Sequence, residues 1–189
     1  MCIRDRHDFD HFTLLSNTSK AERAAAQGMD GISVYDPADS PQEWLDHALV
    51  STRVGVLFAF PLNPGQDYLA RRVVEDPCYV TPPFLPALSG PIDWTRSEGR
   101  EMAARLAETR IEETLQTNLM LQTHPFLGNV DRGFFLVHIT SFNEWHEGHQ
   151  FEPMKDEAPL TSAERAVGYH NPAAGAYRLR KLTDLLGRL

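Results

Sequence analysis

Little in this sequence settles its class at once. Only two cysteines, Cys2 and Cys78, occur in 189 residues. They are too few for a disulfide framework and lack the C-x-x-C spacing of a metal site, so they leave the redox compartment open. No apolar run approaches the roughly 20 residues of a membrane-spanning helix, and no apolar signal-peptide core follows the first residues. Basic residues are outnumbered 18 to 26, giving a net charge of −8. That sign argues against a nucleic-acid surface, whose affinity rests on Lys and Arg neutralising phosphates. No G-x-G-x-x-G follows an apolar run, so dinucleotide binding loses its main support, and no cofactor is expected. The remaining composition, 42% hydrophobic and 23% charged without a low-complexity tract, is that of a globular chain, and its length suggests one domain.

The beginning of the chain is irregular. MCIRDRHDFD has neither a helix cap nor an apolar period, yet the strand-like HFTLLSNTS starts almost at once. MCIRDR also resembles leaders that arise when adapter sequence is translated in assembled metagenomes. Residues 1–6 are therefore expected to be non-native, residues 7–189 to form one partial domain, and the natural chain to extend upstream. A signal peptide in that upstream part would make the protein secreted or periplasmic; otherwise it would be cytoplasmic.

Four segments have strand character, each followed by loop chemistry and then a helical pattern. They are HFTLLSNTS (11–19), DGISVYDP (30–37), RVGVLFAFPLNPG (53–65) and GFFLVHITSF (133–142). The third is almost continuously apolar, as a parallel strand covered on both faces should be. A short helix after the first segment should end at Gly28. Ser40 as N-cap, Pro41 at N1 and Glu43 at N3 predict another helix start. A long amphipathic helix is expected over 95–123, with Met102, Leu106, Ile111, Leu115, Leu119 and Gln122 along one stripe, and a last helix from about Ala174. The Pro- and aromatic-rich stretch 66–93 is long for a loop in a compact domain and is expected to be functional or poorly ordered. Strands alternating with helices mean parallel βαβ units. Four such units are half of an eight-stranded barrel; an open doubly wound sheet is the alternative.

The chemistry gathers after the fourth strand, in ITSFNEWHEGHQFEP (139–153). Glutamate is almost never fully buried unless paired, and the end of a strand is where α/β proteins keep their sites. Glu144 and Glu147 are three residues apart. Two carboxylates facing one pocket suit glycosidic-bond cleavage, one protonated to donate to the leaving oxygen and the other ionised. Neighbouring charge and apolar walls push two such groups to opposite roles. Trp145 and Phe142 would cover the C–H face of a sugar ring. Two other readings stand beside this one. The glutamates would merely cap the next element through its backbone N–H groups, or His146, Glu147, His149 and Glu152 would hold a metal. HEGH spaces its histidines three apart rather than the four of H-E-x-x-H, so one helical face does not present both. His138, in mid-strand, is expected to be a hydrogen-bonded core histidine rather than a ligand.

The run ITSFNEWHEGHQFEP closely resembles the signature of glycoside hydrolase family 99, the endo-α-mannosidases and endo-α-mannanases. The match is unbroken from Ile139 to Gly148 and resumes at Gln150 and Glu152. GMDGISVYDP and FPLNPG look like the family's sixth- and seventh-strand segments. Tyr169 and AYRLRKLTDLL look like its closing tyrosine and final helix. The resemblance implies an α/β fold, a (β/α)8 TIM-type barrel of which this chain supplies the C-terminal half, about strands 5–8. It further implies a retaining endo-acting hydrolase of internal α-mannosidic or related α-linkages. Glu144 would deprotonate the substrate 2-hydroxyl, which attacks C1 to form an epoxide-like anhydro sugar. Glu147 would protonate the leaving oxygen and then activate water. An attached hydroxyl has a high effective molarity, which suits that step. Asn143 and His146 would orient the carboxylates or bind substrate hydroxyls, with Trp145, Gln150 and Glu152 also on the substrate. Tyr35 matches a family tyrosine near the cleavage subsite, with a core tyrosine as its equal alternative. His149 and Phe151 depart from the family's usual Thr and Ile, NPGQDY departs from its Gly-Pro-Gly-Tyr, and 66–93 is unlike typical members; these put the substrate in doubt more than the chemistry.

The expected partner is an oligosaccharide or polysaccharide of α-mannan type. The rival expectation is a carbohydrate-binding family-99-like domain, associated with glycan assembly, that holds a glycan without cutting it. A metal-dependent hydrolase is the remote third. A half barrel exposes two strand edges and an apolar interior, so residues 1–189 alone are expected to be inactive.

Overall fold

Glycines at positive φ end the first two helices, and what precedes and follows them sets the architecture. The computed structural model describes residues 13–35, 39–65, 96–144, 148–153, 161–163 and 175–189. The expectations for residues 1–6 and 66–93, and for Tyr169, Trp145, His146 and Glu147, fall outside these. Strands are β1 (Leu15–Ser16), β2 (Gly31–Ser33), β3 (Leu57–Leu62) and β4 (Val137–Ile139), in sheet order β1-β2-β3-β4. β2 lies parallel to both β1 and β3, with Leu15, Gly31 and Leu57 in register. Helices α1 (Ala21–Ala26), α2 (Trp44–Val54), α3 (Ser97–Gln122) and α4 (Gly128–Asp131) intervene. A two-stranded antiparallel ribbon, β5 (Asn143–Glu144) with β6 (His149–Gln150), and helix α5 (Tyr177–Leu186) complete the elements. The alternation of parallel strands with helices is the α/β fold expected from the sequence.

The chain falls into two units: residues 1–61 with 115–138, and residues 62–114 with 139–189. In the first unit, α1 ends as expected, with Gly28 at φ 72° in the left-handed region that only glycine enters freely. α2 begins one turn later than the Ser40 cap suggested. Residues 41–43 form a tight turn first, in which the Trp44 N–H donates to Pro41 O. The Glu43 carboxylate reaches back to accept from the Ser40 N–H at 2.9 Å, which is half of the reciprocal capping box. α2 then continues through Arg53 and Val54 and closes on Gly55 at φ 76°. The third strand is therefore 57–62 rather than 53–65, because Val54 at the end of α2 runs into the apolar stretch of the strand across Gly55 without a break in the sequence pattern. All six residues of β3 are buried, as a strand covered on both faces should be.

Trp44 and Phe60 stack in the core of this unit with centroids 4.9 Å apart and planes 4° from parallel. Ile32, Val34, Ala48, Phe58, Leu121 and Leu127 pack in the same cluster. In the second unit, Ala104 and Ala107 of α3 bury Tyr177 of α5.

α3 corrects the expected stripe. Met102 is 44% exposed and Leu106 and Leu119 are only half-buried. The buried face instead runs through Ala103, Ala107, Arg110, Ile111, Thr114, Leu115, Asn118, Leu121 and Gln122. Polar residues are accommodated there because their side chains bond backbone carbonyls in and beside the strands. Asn118 Nδ2 donates to Pro61 O at 3.3 Å, and Gln122 Nε2 donates to Leu136 O at 2.9 Å.

Candidate functional site

Beyond β4 the chain is held in place by backbone bonds before the acidic run begins. Thr140 N–H donates to Leu62 O at 3.0 Å, and the N–H groups of Phe151 and Glu152 donate to Ser141 O and Phe142 O, both at 2.8 Å. β5 and β6 pair Asn143 with Gln150 and Glu144 with His149. Gly148, at φ 64°, starts the return strand in a conformation that disfavours side chains. Glu144 thus lies on a short antiparallel ribbon a few residues past the fourth strand.

The ribbon sorts the expected site residues. Glu144 is half-buried and Asn143 exposed. Phe142 is 62% exposed, free to offer a ring face. Gln150 is only 4% exposed, and its Oε1 lies 3.4 Å from Arg178 Nη1, so its amide is turned into the protein. Glu152 is half-buried with Oε2 out of contact with solvent and without a hydrogen-bond partner among the described residues. Tyr35 belongs to the first unit, two residues past β2 and 40% exposed. Trp145, His146 and Glu147 lie outside the described residues.

His149 is fully buried. Its Nδ1 is 2.6 Å from Gly65 O; a carbonyl only accepts, so Nδ1 carries the proton and donates. Burial pushes its pKa down to about 4, while the Gly65 bond raises it and the charges of Arg178 and Arg110 lower it further. The imidazole is neutral at ordinary pH. Among the described residues no group of three or more His, Cys, Asp or Glu could hold a metal. His138, in β4, places Nε2 3.2 Å from Val34 O, and burial lowers its pKa. Its Nδ1 is buried without a hydrogen-bond partner among the described residues.

A polar network behind the hairpin has no counterpart in the sequence expectations. Asn63, one residue beyond β3 and fully buried, accepts at Oδ1 from Gly65 N–H at 2.9 Å and from Arg110 Nε at 3.3 Å. Its own N–H donates to Thr114 Oγ1 at 3.3 Å. Gly65 then accepts from His149. The network therefore connects α3 to β6 through one turn after β3. Asn directly after an apolar strand and before Pro-Gly was its only signal in the sequence. Arg178, in the first turn of α5, also went unread. Its Nη1 donates to Gly148 O at 2.7 Å and Gln150 O at 2.9 Å.

No family model and no curated protein matches the chain. Among solved structures, the family-99 endo-α-mannosidase from Bacteroides thetaiotaomicron is similar at 20% identity and a TM-score of 0.49, over 92% of this chain and 42% of that one. The same enzyme in complex with bis-tris-propane is similar at 18% identity and a TM-score of 0.49, over 92% of this chain and 45% of the other. The chain is thus similar along nearly all its length to family-99 endo-α-mannosidase structures, and spans less than half of theirs.

Proposed function

We propose that this chain is the C-terminal part, about strands 5–8, of a (β/α)8 barrel, and that it carries the acids of a retaining endo-acting glycoside hydrolase cleaving internal α-mannosidic linkages. The observation that carries this reading is the position of Glu144, half-buried on a short ribbon a few residues beyond the fourth strand of the sheet. The carboxyl ends of parallel strands are where barrel enzymes assemble their sites. The unbroken N-E-W-H-E-G run and the exposed Phe142 beside it support the same reading.

In this mechanism Glu144 takes the proton of the substrate 2-hydroxyl, and that oxygen attacks C1. The glycosidic bond breaks as Glu147 gives its proton to the departing oxygen, leaving a 1,2-anhydro sugar. Water then adds at C1 and loses its proton to Glu147, while Glu144 returns its proton to the 2-oxygen. Two inversions at C1 retain the configuration, and both carboxyl groups regain their starting states. Asn143, His146 and Trp145 would bind the sugar around them, with Glu152 as a further contact.

Hydrolysis of α-mannan oligosaccharides by the full-length protein and its Glu147→Gln variant tests this. Turnover should fall by about 10²–10⁴ in the variant, the usual contribution of a general acid/base, while glycan binding persists. A wild-type protein that binds glycan without cutting it would establish the binding domain instead.

A further inference from the structure

We propose that Arg178 is the positioning residue of the acidic hairpin: from α5 it fixes β6, and through β6 the strand that bears Glu144. One guanidinium nitrogen, Nη1, donates to the backbone carbonyls of Gly148 at 2.7 Å and Gln150 at 2.9 Å. Residues two apart present their carbonyls on the same side of a strand. β6 is paired with β5 through its partners Asn143 and Glu144, so Arg178 supplies β6 with further bonds that a third strand would otherwise make. Bonds from a charged donor are roughly twice as strong as neutral ones. Nη1 has two hydrogens, and the two carbonyls use them; Gln150 Oε1, at 3.4 Å, adds a longer contact on the same side.

Arg178 is itself held. Its Nε donates to Tyr177 Oη at 3.1 Å, and its guanidinium carbon lies 5.7 Å from the centroid of that ring. Tyr177 is buried against Ala104 and Ala107 of α3. A rigid helix contact is thus transmitted by one guanidinium to a two-residue strand. A two-stranded ribbon that short has marginal stability of its own, yet a catalytic carboxylate must be held to within a fraction of an ångström. The consequence for rate rests on the proposed function; the consequence for the hairpin does not.

Two readouts on the full-length protein test the proposal. In Arg178→Ala, hydrogen exchange at the Phe151 and Glu152 amides should accelerate at least tenfold, while the amides of α2 and β3 keep their protection. With α-mannan oligosaccharide, kcat should fall about 100-fold at little-changed KM, as a misplacement of about 1 Å produces. Free guanidinium at low concentration should restore part of both. Unchanged exchange at Phe151 and Glu152 overturns the proposal. So does a variant that loses only melting temperature while kcat per folded molecule stays at the wild-type value. Should Arg178→Ala not fold, Arg178→Lys and Arg178→Gln give the same two readouts. A wild-type protein without hydrolysis would remove the enzymatic reading, and the exchange arm would still decide the clamp.

Discussion

Asn129 takes the place of a neighbouring strand at Phe58. Its Oδ1 accepts from the Phe58 N–H at 3.1 Å, and its Nδ2 donates to Phe58 O at 2.7 Å. Both backbone polar groups of one residue in a fully buried strand are satisfied by a single side chain on the four-residue helix α4. Replacing Asn129 with Ala leaves a buried donor and a buried acceptor unpaired. Each costs about 1–3 kcal/mol. Chemical denaturation should show Asn129→Ala destabilised by about 2–4 kcal/mol, and a loss under about 0.5 kcal/mol would refute this account.

Gly31 of β2 sits between its register partners Leu15 of β1 and Leu57 of β3. A Cβ there would lie 2.5 Å from Leu57 O and 2.7 Å from a Leu15 methyl carbon. The first obstacle is backbone in the adjacent strand and has no rotamer to escape into. Gly31→Ala should cost about 1–3 kcal/mol by forcing the strands apart. Equilibrium unfolding in urea measures it, and wild-type stability in the variant would mean that the sheet yields at no cost.

His149 gives stability a pH dependence. Its folded pKa, about 4, lies below the ordinary value of 6.5. Between those values the unfolded chain binds a proton that the folded chain does not, so folding weakens as pH falls. The contribution is whole above pH 6.5 and is lost on the way down to about 4, by on the order of 3 kcal/mol. His149→Gln should flatten the stability slope over this window by about one proton. Denaturant titrations at several pH values check this; parallel wild-type and variant curves would contradict it.

Lys181 and Glu112 make a pair of a different kind. They meet at 2.6 Å between α5 and α3, but both side chains keep solvent contact, and Lys181 holds the Glu112 carboxyl below its usual pKa by hydrogen bond and charge. Water competes for such a pair, so Lys181→Ala should change stability by less than about 1 kcal/mol. A thermal-unfolding comparison at low and high salt reads it. A loss well beyond that size would show the contact to be shielded.

The sequence and the structure agree where the signal is local. Gly28 ends α1 because its φ suits glycine, β3 is apolar throughout because both its faces are covered, and the long helix 95–123 is found at Ser97–Gln122. They part where a polar side chain is buried. Arg110, Thr114 and Asn118 all lie on the covered face of α3, yet in a hydrophobicity pattern they read as the solvent face. Only the position of a carbonyl dozens of residues away, such as Pro61 O for Asn118, turns such a residue inward. Likewise the third segment concealed a helix end, since Val54 and Val56 flank Gly55 with the same apolar character on either side of the turn.

In the candidate site the same division holds. By itself the sequence determined the alternation of strand and helix and the grouping of Glu144, Glu147 and their aromatic neighbours, because both are properties of adjacent residues. Tertiary structure alone decided that Gln150 turns its amide inward, that His149 donates to Gly65 and that Arg178 grips β6. Each of these is a hydrogen bond across 28 to 84 positions of chain, and such bonds exist only once folding has brought their partners together.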